Sequence, residues 1–388
     1  MAWNTGLLSR LLSASLIVST IADAQGLPVV RPSEVRRVGG LDAPDYAAFS
    51  EEPSLIADRQ GVVYARIPNE ALVRVFDGNG TYQRSIGRRG EGPGEFVVAA
   101  GHGLVGDTLW IRNWPLPRMS TFTRSGTHVR TWRTQVDIGR PFPTPEGITA
   151  LLIGDRAAMV PDAVPLGAGS RASLPVIVGD RDLGTGDTVA FVLRPQGMLL
   201  PRVGSFRMAP FPLSPLVSVA GDGSRLLVAS WSEDAPDRLE VRRVSRTGST
   251  IWQRSLTMAV SPTPRRVRDS LLAVATGLAR SPVEAAKRQG HLPPTASVGE
   301  LVRQGLHIPS HLPPVRRVVE GLDGTIWLER FSLADARRWL VLDSAGQPSF
   351  EAELPPGVTL HQAGDGAIWA TQMSDDGVPF IVWLSFSR

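Results

Sequence analysis

The chain contains no cysteine among its 388 residues. Disulfides, zinc sites with thiolate ligands and a lipid on an N-terminal cysteine are therefore excluded. Lys287 is the only lysine, and there are three tyrosines. Because few groups titrate between pH 7 and the arginines, a formal net charge of only +4 accompanies an isoelectric point of about 10.2. So small a charge is weak support for a polyanionic partner, and we expect no nucleic acid ligand.

Long apolar runs are also scarce. Arg10 precedes the run LLSASLIVSTIA (11–22), and Ala22-Asp23-Ala24 follows the small-x-small pattern of a cleavage site. We therefore predict a signal peptide over residues 1–24 and an exported mature chain, periplasmic or extracellular. The run is too short to cross a bilayer of about 30 Å, so we expect no stable membrane span. The alternative is an uncleaved N-terminal anchor.

A turn with glycine or aspartate, followed by a short apolar strand, recurs along the chain. The copies are RQGVVYA (59–65), VGDTLWI (105–111), IGDRAAMV (153–160), GDGSRLLVA (221–229), LDGTIWLE (322–329) and GDGAIWAT (364–371). The first two share a register, since Tyr64 and Phe76 recur 46 residues later as Trp110 and Phe122. Strands joined by Asn-Gly or Ser-Gly turns follow several copies, which is typical of β-hairpins.

Repeats of about 40 to 45 residues with four short strands are typical of propeller blades. We therefore predict an all-β fold, a six-bladed β-propeller over residues 25–388. The last copy lacks an outer strand, whereas EVRRVGG (34–40) resembles the outer strand of the first copy. We expect this N-terminal strand to complete the last blade and close the ring. A degenerate seventh blade after the third copy is the alternative.

Residues of about 262–312, between copies four and five, depart from the repeat. Apolar residues recur at helical spacing from Val267 to Leu278, and Ser297 with Glu300 forms a capping box. We predict a helical insertion between blades four and five. Its seven basic residues indicate either a solvated helix face or a basic surface that docks an acidic partner or an anionic surface.

One stretch carries a family resemblance. VYARIPNEALVRVFDGNGTYQRSIGRRGEGPGEF (63–96) resembles NHL repeats and the related bacterial family of six-bladed β-propellers whose blades end in GPGEF. Functions in such families include protein binding, RNA binding, sugar or lactone chemistry and a metal-dependent lyase of amidated peptides. The shared fold does not choose among these functions, and the export signal argues against RNA.

The stretch SIGRRGEGPGEF (85–96) is rich in glycine but is not a nucleotide loop. It has no lysine, and its glycine spacing does not fit G-x-G-x-x-G before a helix. We interpret it as the connection between two blades, whose glycines permit positive φ angles. The alternative is that Arg88 and Arg89 also bind a carboxylate or phosphate at the mouth of the pore.

Lactonase-type six-bladed propellers hold a divalent metal in the channel with carboxylates and asparagine. By that resemblance Glu51 and Glu52, just before the first inner strand, and Asn113 in the second blade are candidate ligands. Calcium or another divalent ion would suit such oxygen ligands. The alternative for the acidic pair is a solvated strand entry.

Other polar groups give weaker signals. The turn GDRDLGTGD (179–187) lacks the glycine and glutamate of an EF-hand. His307 and His311 have the spacing of a zinc helix, but Pro309 interrupts it. His102 and His128 are histidines that could approach the channel.

The sequence thus predicts an exported propeller that binds or scaffolds a protein, peptide or carbohydrate ligand. We expect a monomer without catalysis and without a required cofactor. The alternative is a metal-dependent hydrolase or lactonase that acts in the central channel. Oxygen ligands that converge from several blades would favour the hydrolase, whereas apolar and arginine side chains along the axis would favour the binding protein.

Overall fold

The computed structural model describes residues 19–21, 26–116, 118–133, 150–152, 156–159, 173–180, 186–193, 198–200, 202–206, 216–333 and 337–387. Most of the predicted signal peptide, including its cleavage site, lies outside the described residues. So does part of the 179–187 turn.

Strands and two helices make up the described chain. The strands before residue 134 are β1 (Ser19–Ile21), β2 (Val29–Val30), β3 (Ser33–Gly39), β4 (Ser54–Ala57), β5 (Val63–Arg66), β6 (Val73–Phe76), β7 (Tyr82–Ile86), β8 (Arg88–Arg89), β9 (Glu95–Phe96), β10 (Val98–Val105), β11 (Thr108–Trp114), β12 (Arg118–Thr123) and β13 (His128–Arg133). Those between residues 150 and 257 are β14 (Ala150–Leu152), β15 (Arg156–Met159), β16 (Ser173–Asp180), β17 (Gly186–Leu193), β18 (Met198–Leu200), β19 (Gly204–Phe206), β20 (Val217–Val219), β21 (Arg225–Ser232), β22 (Ala235–Ser245) and β23 (Thr250–Thr257). The helices α1 (Arg265–Arg288) and α2 (Val298–Gly305) follow, and then β24 (Val315–Glu320), β25 (Ile326–Arg330), β26 (Arg337–Leu342), β27 (Pro348–Leu354), β28 (Val358–Gly364), β29 (Ala367–Met373) and β30 (Pro379–Ser385).

The larger sheets are antiparallel and built from strands that follow one another in the chain. Their orders are β4-β5-β6-β7, β10-β11-β12-β13, β14-β15-β16-β17, β20-β21-β22-β23, β24-β25-β26-β27 and β28-β29-β30-β3. Two of them carry a further parallel strand, β1 on β23 and β2 on β27. Short hairpins of this kind follow from the turn glycines, such as Gly80 (φ +72°) and Gly126 (φ +93°), which adopt the left-handed backbone that other residues avoid.

Most hydrophobic cores lie between two sheets that are neighbours in the chain. Tyr64 and Phe76 of the first large sheet are fully buried, and Tyr64 packs with Leu109 and Phe122 of the next. The first and last sheets also share a core, in which Phe76 packs with Trp383. Because sheets pack face to face around a closed circuit, the described chain is a β-propeller, as predicted.

The ring is closed by strands from both ends of the chain. Strand β3 pairs antiparallel with β30, with Val38 opposite Ile381 and Gly39 opposite Phe380. The predicted closing segment, residues 34–40, therefore falls on β3. This pairing gives β30 an outer neighbour, so that its backbone groups do not form an exposed edge.

Helices α1 and α2 form a small core of their own between β23 and β24. Ala275, Ala279 and Val283 of α1 and Val302 of α2 are fully buried and pack with Leu200 of β18. Their period of three to four residues is that of an amphipathic helix. Ser297 caps α2 by accepting a hydrogen bond from the backbone of Glu300, as the capping box predicts.

The residues that precede α1 and those that follow α2 are hydrogen-bonded to each other. Thr263 N donates to Ser310 O at 2.9 Å, and Thr263 Oγ1 donates to Pro309 O at 2.7 Å. Leu312 N donates to Ser261 O at 2.9 Å. Within the described residues, neither helix combines the length and the apolar character needed to cross a bilayer.

Candidate functional site

The first strands of five sheets face the axis of the ring. Strands β4, β10, β20, β24 and β28 together line a cavity of about 330 Å³. Apolar side chains such as Ile56 and Val319 form part of the wall, together with Trp110. The polar side chains that reach this cavity include His102, Arg317 and His361. The axis is therefore lined by apolar side chains, two histidines and Arg317, with Ser54, Ser218 and Gln362 as further polar residues.

Gly103 brings the backbone of β10 close to Trp110 in the channel wall. A Cβ atom at Gly103 would lie 2.4 Å from the indole ring, which is far inside van der Waals contact. The glycine therefore lets the indole lie flat against the strand and form one side of the cavity.

The two channel histidines are held neutral. His102 Nε2 donates to the Tyr64 carbonyl at 3.0 Å, and burial, followed by the nearby positive charge of Arg66, lowers the pKa of His102 to about 3. Burial also holds the pKa of His361 well below its ordinary value, with Arg317, His102 and Arg66 adding to the effect. These four side chains are therefore electrostatically close.

His361 belongs to a chain of hydrogen bonds that leads to the rim. Its Nδ1 accepts a long bond of 3.5 Å from Leu55 N, so that Nε2 carries the proton and donates to Thr371 Oγ1 at 2.9 Å. The Thr371 hydroxyl in turn donates to Glu52 Oε1 at 2.5 Å. This chain fixes the tautomer and the orientation of the imidazole ring.

Two arginines near the channel are bound to backbone carbonyls and not to carboxylates. Arg317 Nη1 donates to Leu360 O at 2.8 Å, and Arg66 Nη1 donates to Ala99 O at 3.1 Å. Burial lowers the pKa of both guanidinium groups. The buried Arg66 Nε has no hydrogen-bond partner. Among the described residues, no carboxylate oxygen lies within 4.0 Å of either guanidinium.

The opposite mouth of the channel shows a different arrangement of charge. It opens into a cavity of about 350 Å³ at the turns that follow the inner strands. There Arg124 contacts Asp58 at 2.7 Å and Asp107 at 3.0 Å, and Arg59 lies 3.8 Å from Asp222. Arginines at this mouth are thus neutralised by carboxylates, unlike Arg66 and Arg317.

The predicted metal ligands are occupied by other contacts. Glu51 Oε1 accepts from Asn69 Nδ2 at 2.6 Å, and Glu52 accepts from a threonine hydroxyl as described above. Asn113 Oδ1 accepts from Val97 N at 3.0 Å, and its Nδ2 donates to Glu95 O at 3.4 Å. Asn113 therefore holds the backbone of Val97 and Glu95 in place through its side-chain amide. Within the described residues, no three His, Asp or Glu side chains gather as a metal site. A metal held by Glu51, Glu52 and Asn113 stays a prediction.

The loop 85–96 is organised around the carboxylate of Glu95. Arg88 Nε donates to Glu95 Oε1 at 2.8 Å, and Gly92 N donates to Glu95 Oε2 at 2.9 Å. The Gly92 bond, followed by the Arg88 bond, lowers the pKa of Glu95. Phe96 is fully buried between two sheets. Arg88 is therefore paired within the loop, although both Arg88 and Arg89 are exposed.

The glycines of this loop are required by contact as well as by backbone conformation. A Cβ at Gly90, where φ is +154°, would lie 2.1 Å from Glu95 Oε2, and a Cβ at Gly87 would lie 2.7 Å from the Phe96 ring. Both glycines thus permit the glutamate and the phenylalanine to fold back on the chain. These contacts support the interpretation of the stretch as a structural connection.

The remaining histidines lie apart from the channel cluster. His128 Nε2 contacts Thr131 Oγ1 at 2.9 Å. His307 Nε2 lies 2.7 Å from Glu233 Oε1, whereas His311 Nδ1 contacts the adjacent Ser310 hydroxyl at 3.1 Å. The structure thus brings His102 to the channel but does not pair His307 with His311.

Sequence reasoning missed Arg66, Arg317 and His361 as members of the channel cluster. One signal was available, because His102 and His361 each stand eight residues before a tryptophan, Trp110 and Trp369, in their copies of the repeat. Equivalent positions in two repeats point to the same place in the ring. No local sequence pattern predicts that Arg66 and Arg317 lie near the channel, because each stands in a strand whose other residues are common in any strand of this protein.

Comparison with known proteins shows the fold but no family. No model of a known protein family matches the chain, and no curated protein matches it. The similarity of residues 63–96 to NHL repeats therefore stays a resemblance.

Solved structures with this fold cover nearly the whole chain. A candidate exported protein from Bacteroides fragilis is 9% identical with a TM-score of 0.52, over 95% of this chain and 99% of that one. A member of the DUF4221 family from Bacteroides vulgatus is 10% identical with a TM-score of 0.50, over 92% and 99%. A calcium-binding protein, regucalcin, from Agrobacterium tumefaciens aligns with a TM-score of only 0.38 at 12% identity over 92% and 96%. At these identities the likeness concerns the fold alone.

Proposed function

We propose that the protein is an exported, monomeric β-propeller that binds a ligand with an anionic group, a carboxylate or a phosphate, in its central channel without transforming it. We count each large sheet as one blade, so that the proposed propeller has six blades. Export rests on the predicted signal peptide over residues 1–24, and the structural likeness to a candidate exported protein is consistent with it.

The observation that carries the proposal is the contrast between the two mouths of the channel. Arg124 and Arg59 are neutralised by aspartates at one mouth, whereas Arg66 and Arg317 have only backbone carbonyl partners. A guanidinium removed from water and left without a hydrogen-bonded counterion is costly. An anion beside Arg317 in the cavity would supply the missing charge through charge-assisted hydrogen bonds, and the charge of Arg66, which also acts on His361, would add to the attraction.

The neutral histidines and the cavity size suit such a ligand. Because His102 and His361 stay uncharged, they form a polar wall without increasing the positive charge. A volume of about 330 Å³ is at the lower end of the range for small-molecule pockets. The ligand class is therefore a small carboxylate or phosphate, including one carried by a sugar or a peptide terminus.

Binding is tested by calorimetry and thermal shift with succinate, citrate, inorganic phosphate and glycerol phosphate, with glycerol as the neutral probe. We expect at least one anion to raise the melting temperature and glycerol to leave it unchanged. Arg317→Met should weaken anion binding roughly tenfold to a hundredfold, as hydrogen bonds to charged groups contribute about 1.5–3 kcal/mol.

The matched control is Arg59→Met, which removes an arginine from the opposite mouth and should leave binding unchanged. Three results would count against the proposal: no response to any anion, equal weakening by both substitutions, or binding that requires a divalent metal. The last result would favour the hydrolase alternative.

A further inference from the structure

The positive charge of the chain is concentrated in one segment. Residues 261–314 contain seven basic and three acidic residues, an excess that equals the net charge of +4 of the whole chain. In the rest of the chain, basic and acidic residues are equal in number. The rest of the chain thus contributes no net charge, and the long-range attraction of the protein for anions comes from the helical segment.

The exposed side of α1 carries most of these charges. Arg265, Arg266, Arg268, Arg280 and Arg288 are all exposed. The acidic groups of the segment are held close to basic neighbours: Asp269 lies 3.7 Å from Arg265, Glu284 lies 2.9 Å from Lys287, and Glu300 lies 3.7 Å from Arg303. Among the described residues, Arg266 and Arg280 have no such carboxylate within 4.0 Å.

An apolar stripe runs along the flank of the same helix. Val267, Leu271, Val274 and Leu278 are spaced four, three and four residues apart, which places them on one side of the helix. Val274 is 54% and Leu278 is 57% exposed. The buried face of α1 is a different one, centred on Ala275 and Ala279. Leu271 packs against the core of α1 and α2, so that Val274 and Leu278 are the exposed part of the stripe. Helix α1 therefore presents exposed apolar side chains as well as exposed arginines.

We propose that this surface, the exposed arginines of α1 with Val274 and Leu278, docks the protein on a membrane of anionic lipids. Helices with apolar side chains at the acyl boundary and arginines at headgroup level bind such interfaces. Arginine stems can lie along the apolar boundary while the guanidinium groups reach the phosphates. A second copy of the chain fits poorly, since two such surfaces would bring like charges together.

The dimensions agree with a peripheral contact. The 24 residues of α1 extend over about 36 Å, so that several headgroups can be contacted at once. The buried face of α1 stays packed on α2 and β18. Docking therefore needs no unfolding of the segment, and it is independent of the channel proposed above to bind a small anion.

The test is flotation of the full chain with vesicles of phosphatidylcholine alone and with vesicles that also contain phosphatidylglycerol. We expect binding to the anionic vesicles, little binding to the neutral ones, and a decrease with added salt. The double variant Arg266→Gln/Arg280→Gln should reduce partitioning roughly thirtyfold, since each basic residue near such a surface contributes about a factor of five. Its control is Arg246→Gln/Arg338→Gln, which removes two exposed arginines from the sheets.

A second variant separates apolar contact from charge. Val274→Ser/Leu278→Ser keeps every charge and changes two exposed side chains, so that it should fold normally and still bind anionic vesicles more weakly. The apolar run 11–22 is present in all these chains, so differences between variants report on α1. The proposal fails if anionic vesicles are not bound, or if the α1 variants and the sheet control bind alike. Binding to a soluble acidic protein without vesicle binding would also overturn it.

Discussion

At the scale of single residues, burial decides which polar groups act as charges. His102 is 8% exposed and hydrogen-bonded to a carbonyl, whereas Arg317 has to stay charged because guanidinium groups do not lose their proton in proteins. The channel thus combines permanent cations with histidines that stay neutral. Sequence could suggest His102 from its place in the repeat. It could not show that Arg66 and Arg317 lack carboxylate partners, since the partners of a side chain come from other sheets.

The buried His102 predicts a dependence of stability on pH. Its pKa is about 3 in the folded chain and about 6.5 when unfolded. Between these values the unfolded chain binds more protons, so the free energy of unfolding falls as pH falls from 6.5, by up to about 1.4 kcal/mol per pH unit. His102→Gln, which keeps a donor for Tyr64, should flatten this slope in urea titrations at several pH values.

The control for this prediction is the same substitution at His291, which is exposed and should leave the slope as in the unchanged chain. A slope that His102→Gln does not alter would show that His102 is not held neutral in the folded protein.

At the scale of elements, turn chemistry and hydrophobic alternation were enough to predict hairpins, the closing strand and the helical segment. The glycine turns and the capping box at Ser297 are local signals, and local signals are readable from sequence. The packing of α1 and α2 on β18 was not predicted, because it joins segments about 70 residues or more apart in the chain. Likewise, the sequence did not predict that the Glu95 carboxylate binds Arg88 and Gly92 within the loop 85–96, although Glu95 belongs to the GPGEF motif.

The closing strand yields a prediction at this scale. Gly39 at the end of β3 has a φ of +126°, and a Cβ there would lie 2.8 Å from the Pro379 carbonyl oxygen of the partner strand. Gly39→Ala should therefore lower the free energy of unfolding by about 2–4 kcal/mol, combining backbone strain and the clash. Urea unfolding of the purified variant measures the loss.

Gly377 provides a matched control for Gly39, with a φ of +77° and no atom within 4 Å of the position that a Cβ would take. Gly377→Ala introduces backbone strain without a clash and should lower the free energy of unfolding by about 1–2 kcal/mol. Equal losses in the two variants would contradict a tight junction between β3 and β30.

At the scale of the whole molecule, a ring of sheets around one axis brings residues from distant parts of the chain to a common channel. Arg66, His102, Arg317 and His361 come from different sheets, yet they influence one another electrostatically. The propeller fold was predictable because the turn and strand pattern of its repeat recurs in the sequence. Which side chains meet on the axis was not, since that depends on the register and bulges of each strand, such as the shift between Leu360 and Gln362 in β28.

The proposed anion site beside Arg317 in the channel is tested most directly with crystals soaked in selenate. Selenate mimics a phosphate group, and the anomalous scattering of selenium locates it without ambiguity. We predict an anomalous peak in the channel within hydrogen-bond distance of Arg317, which is lost in Arg317→Met and kept in Arg59→Met. An empty channel beside occupied surface arginines, or a channel peak that Arg317→Met leaves in place, would show that Arg317 does not form an anion site.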